Sequence, residues 1–150
     1  MIQFELFKKG IAASVVVEKT AVSGIEYMAD IFCKDIEKVT GCYPGLCSEA
    51  EEGNDNMILV ATCDNSDYLM QMETAGEINL EKVRGKREVY GIYQVENSCL
   101  QGKNVLVIAG SDKRGTIYGM FRISEQIGVS PWVLLEDAVH AKREEIIFVE

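Results

Sequence analysis

The spacing of apolar residues changes period along the chain, and each change predicts an element. Residues 2 to 7, "IQFELF", alternate apolar and polar as a half-buried strand does. Residues 11 to 18, "IAASVVVE", are rich in β-branched residues and follow Lys8-Lys9-Gly10, so the two runs predict a hairpin. From Val22 to Val39 the period lengthens. Val22, Ile25, Ala29, Phe32, Ile36 and Val39 recur at intervals of three and four, which marks one face of a helix. Ser23 and Glu26 have capping-box spacing at its start. Gly41 predicts its end, and Pro44-Gly45 opens a loop. Residues 48 to 56, "SEAEEGNDN", are acidic and read as a solvated loop.

Beyond that loop, "MILVAT" is a continuous apolar run, as expected of a strand buried on both faces. "DNSDYLMQME" predicts a short helix with an Asx or Ser start, and "NLEKVRGKRE" a polar connection. "VYGIYQVE" and "KNVLVIAG" are strands, the second with the most buried character in the chain. The stretch "GSDKRGTIYGMFRISEQIG", residues 110 to 128, supplies a second long helix. Its inner face is predicted to comprise Ile117, Met120, Phe121, Ser124 and Ile127, with Tyr118 and Phe121 packed toward the sheet and Gly128 at the end. "SPWVLLED" and "EEIIFVE" are candidate closing strands, and no internal repeat or low-complexity segment is present. This order predicts an α+β domain: a mixed β-sheet with two main helices packed on one face.

Composition narrows the picture. A chain of 150 residues, 47% apolar, has the size and apolar content for one domain with a real core. A net charge of −9 disfavours nucleic acid and anionic membrane surfaces as partners. No apolar run reaches the ~18 residues that a membrane helix needs. In "MIQFELFKKG" the charges follow the apolar residues, the wrong order for a secretory leader. A cytoplasmic protein is therefore expected, unless a leader was removed. The five cysteines, Cys33, Cys42, Cys47, Cys63 and Cys99, include no C-x-x-C pair. Cys42 and Cys47 have the alternatives of a disulfide or a soft metal, but free thiols in a reducing compartment are the expected state. With a single histidine, His140, the chain has few nitrogen ligands for zinc, and neither metal nor cofactor is expected.

Candidate chemistry concentrates at residues 110 to 119, "GSDKRGTIYG". Gly110 permits a sharp exit from the preceding strand, and Ser111 or Asp112 can cap the helix by accepting from its first amides. Lys113 and Arg114 then fall in the first turn, where the helix dipole opposes cations, so an acidic group should compensate. Gly115, one turn in, predicts close backbone packing. Two readings compete: an anion site at a helix start, and a capped core helix with an outward arginine. The pattern favours the capped helix. The stretch matches neither the Walker loop nor the dinucleotide fingerprint. His140, beside Lys142 and Arg143, reads as a surface residue, and Asp30, Asp35 and Glu37 as the solvated face of the first helix. Glu136 and Asp137 are neighbours on a predicted strand and so point to opposite faces, which argues against joint acid–base work.

Longer stretches carry a resemblance. Ala109-Gly110-Ser111-Asp112, Arg114 to Gly119 and Ser124 to Trp132 resemble the N-terminal domain of glycoside hydrolase family 115, the xylan α-1,2-glucuronidases. "VVVEK", "DIEKVTG" (Asp35 to Gly41) and "ILVAT" (Ile58 to Thr62) resemble the same family in the same order, so the resemblance spans most of the chain. A looser Arg-Gly-x-x-Tyr-Gly pattern is similar to N-terminal domains of other glycosidases, including hexosaminidases. The resemblance implies a hexosaminidase-like accessory domain over residues 1–150, placed before a TIM barrel that carries the catalytic acids and is absent from this chain. It implies the barrel as partner, xylan-derived oligosaccharide as a possible ligand, and Ser111, Asp112, Arg114 and Trp132 as binding or interdomain contacts. The chain departs from the family pattern after Pro131-Trp132, where Val133 to Val139 replace further aromatics, and at Ala61, where glycine is frequent. The competing expectation is a free-standing carbohydrate- or protein-binding domain without catalysis.

Overall fold

In the computed structural model the described residues are 3–5, 7–8, 11–50, 52–127, 132–134 and 146–149, with side chains described over 13–38, 40–50 and 52–125. The strands are β1 (Gln3–Glu5), β2 (Phe7–Lys8), β3 (Ile11–Ala12), β4 (Ser14–Val16), β5 (Leu46–Cys47), β6 (Asn56–Thr62), β7 (Tyr90–Val95), β8 (Asn104–Gly110), β9 (Trp132–Leu134) and β10 (Ile146–Val149). The helices are α1 (Ile25–Thr40), α2 (Asp67–Thr74) and α3 (Lys113–Ile127). One six-stranded sheet, in the order β10-β7-β8-β6-β4-β5, organises the chain. The strands β5, β4, β6 and β8 run parallel to one another, β7 is antiparallel to β8, and β10 is parallel to β7. The sheet is therefore mixed and the domain is α+β, as the order of elements predicts.

The period-two rule explains why the central strands read as unbroken apolar runs. In β6, Ile58 and Val60 face one core while Met57, Leu59 and Ala61 face the other. In β8, Leu106 and Ile108 oppose Val105, Val107 and Ala109 in the same way. Both faces are covered, so both sets of positions must be apolar. The first face receives the two long helices: Ile25, Ala29, Phe32 and Ile36 of α1, and Met120 and Ile123 of α3. The second receives α2 through Leu69 and Met72, together with Ile78, Leu80 and Val83. Those last residues correct the reading of 79 to 88 as a merely polar connection. Leu80 and Val83 are fully buried, and they close the second face.

Several boundaries differ from expectation for physical reasons. The helix α1 does not use the Ser23–Glu26 capping box. Its N-cap is Gly24, in the left-handed region at φ 93°, with no side-chain cap bond. Gly41 ends α1 as predicted, at φ 78° with its amide bonded to Glu37 O at 2.7 Å. The N-terminal hairpin is shorter than the pattern suggests. Phe7–Lys8 pairs with Ile11–Ala12, whereas Gln3–Glu5 pairs with Trp132–Leu134 in a separate two-stranded sheet. Ser14–Val16 continues into the main sheet instead. On α3, Tyr118 and Phe121 do not pack toward the sheet: they are 42% and 49% exposed. Gly115, Thr116, Gly119, Met120 and Ile123 form its buried side, because the small residues bring the helix axis close to the strands.

Candidate functional site

The junction between β8 and α3 gathers three of the four residues singled out in the sequence. As β8 ends, the Ser111 amide donates to Val89 O at 2.8 Å, and the Val89 amide donates back to Ser111 Oγ at 3.0 Å. Asp112 acts in two directions. Its Oδ1 accepts from the Gly115 amide at 2.8 Å, which caps α3, and its Oδ2 accepts from the Glu88 amide at 3.0 Å. A carboxylate that accepts two backbone amides satisfies donors that would otherwise be orphaned. Here it also ties the entry of β7 to the start of α3. The tie holds Glu88 at φ 56°, a left-handed conformation that is unusual for a residue with a side chain.

Glycine completes the approach. A Cβ on Gly115 would run into the Val89 carbonyl oxygen, and a Cβ on Gly110 into Thr116. Thr116 is fully buried beneath them. Its hydroxyl bonds Asp112 O at 2.9 Å and meets the Thr62 hydroxyl at 2.9 Å, which joins the end of β6 to the same corner. The acidic compensation expected for the first-turn cations is also present. Arg114 Nη1 pairs with Glu88 Oε1 at 2.9 Å. Arg114 thus has its acidic partner within this chain. Glu88, Val89, Thr62 and Thr116 were not visible as site residues in the sequence. Only Thr116, inside the motif, lay where a signal existed.

The Trp132 backbone pairs in β9, and its side chain lies outside the described residues, as do His140, Glu136 and Asp137. None of the five cysteines is in a disulfide, and Cys42 is not bridged to Cys47. Among the described residues no three His, Cys, Asp or Glu side chains come together in a group able to hold a metal, and no helix is long and apolar enough to cross a membrane.

A second feature lies beyond the carboxyl ends of β4 and β5. There a cleft of about 520 Å³ is lined by Val17, Glu18, Lys19, Val22, Ser23 and Leu46, among others. A smaller hollow of about 250 Å³ shares Glu18, Lys19 and Ser48 with it and extends to Tyr68. Glu18 lines both. Its carboxylate accepts from the Ser66 hydroxyl and from the amides of Asp67 and Tyr68, so it occupies the start of α2. Ser66 in turn caps α2 by accepting from the Leu69 amide at 3.1 Å. The chain builds outward from β4 to β5 and then returns to place β6 on the other side of β4. Such a reversal opens a crevice at the carboxyl ends of parallel strands.

No family model matches the chain, and no curated protein matches it. Among solved structures, it is similar to a family GH115 4-O-methyl-α-glucuronidase with specificity for decorated arabinogalactans, at 24% sequence identity and a TM-score of 0.64. The match covers 87% of this chain and 15% of that one, so the chain spans a small part of the structure it resembles. The likeness shows the fold.

Proposed function

We propose that the chain is a non-catalytic accessory domain of a glycoside hydrolase of the α-glucuronidase type, and that it buttresses a catalytic barrel. The observation that carries this reading is the asymmetry of coverage: nearly all of this chain aligns with 15% of a much longer glucuronidase. The junction chemistry supports the non-catalytic part. Asp112, the acid of the motif, has both oxygens engaged by backbone amides, an arrangement suited to holding a fold and not to moving protons. The exposed Arg114–Glu88 pair and Trp132 are the groups we assign to the contact with the barrel. The parent's substrate in this reading is α-1,2-linked (4-O-methyl)glucuronic acid on xylan. Incubating the purified chain with aldouronic acids tests the proposal. The expected result is no release of glucuronic acid above the blank. Release at a rate that follows protein purity would overturn it.

The cleft favours a second reading, a carbohydrate-binding domain that needs no barrel. Its position beyond the carboxyl ends of β4 and β5, and its mixture of Glu18, Lys19 and Ser23 with apolar walls, suit a small polar ligand. Titration of the 15N-labelled chain with xylo-oligosaccharides carrying glucuronate separates the two. Saturable shifts at Lys19, Ser23 and Gly24 favour the binding domain, and an unchanged spectrum favours the buttress.

A further inference from the structure

We draw no further inference here: the strongest candidate, the outward face of α3 where Tyr118 and Phe121 stand exposed one turn apart, carries nothing because nothing in the structure shows what covers it.

Discussion

Gly115 sits where the first turn of α3 passes the Val89 carbonyl, with no room for a side chain. Helix propensity alone would make Gly115→Ala stabilising by about 1 kcal/mol. Overpacking against backbone costs about 1–3 kcal/mol, and backbone gives way less easily than a side chain. Gly115→Ala is therefore expected to lower the urea midpoint, and a rise would show that the close approach is absent. Arg114 behaves differently. Its pair with Glu88 is largely exposed, with side chains 72% and 38% accessible, so water and salt screen it. Arg114→Ala should leave the midpoint nearly unchanged at physiological salt, and unfolding of the variant would mark Arg114 as an internal structural residue. The buried thiols give a pH dependence. Burial pushes Cys33 up to about 12 and Cys63 up to about 11, from an ordinary value of 9.0. Above pH 9 the unfolded thiols ionise while the folded ones stay protonated, so the unfolded state gains. Stability is full below that pH and declines as pH rises through 11 and 12. Comparing urea midpoints at about pH 8 and about pH 10.5 checks it. The decline should be shallower in Cys33→Ala, and an equal decline would contradict the assignment.

Among the elements, α3 shows what periodicity can and cannot reveal. Its existence and start were legible, because a strand running into Gly-Ser-Asp and then a three-four repeat has few alternatives. The pattern places Met120 in the core and Ile117 against it, as the structure does, but it also turns Tyr118 and Phe121 inward. Gly115, Thr116 and Gly119 form the buried seam, and Tyr118 and Phe121 are rotated out. Small residues give no hydrophobic signal, so a helix that packs through them presents a misleading pattern. The same blindness hid the clamp at Glu88 and Val89, which are 24 and 22 residues from their partners and carry no local mark. The sheet was legible in its central strands, where burial on both faces leaves an unbroken apolar run. The pairing of Gln3–Glu5 with Trp132–Leu134 was not, because it joins segments more than a hundred residues apart. A direct check compares neighbours on α3. Met120→Ala should cost about 2–5 kcal/mol, as deletion of a buried side chain does. Phe121→Ser should cost much less, and an equal loss would place Phe121 in the core.

Across the whole molecule, the main sheet and the two long helices share one buried core. The corner fastens β6, β7, β8 and α3 together through Thr62, Val89, Ser111 and Asp112. The central claim is that this corner is structural, and the stability of Asp112→Ala without any ligand tests it most directly. Residues kept for chemistry often reduce stability, so removing one tends to be neutral or stabilising. Removing a cap costs about 0.5–2 kcal/mol, and here the Glu88 amide is orphaned as well. The account predicts that urea unfolding of Asp112→Ala shows a loss of about 1–2 kcal/mol. A variant as stable as the wild type, or more stable, would contradict it.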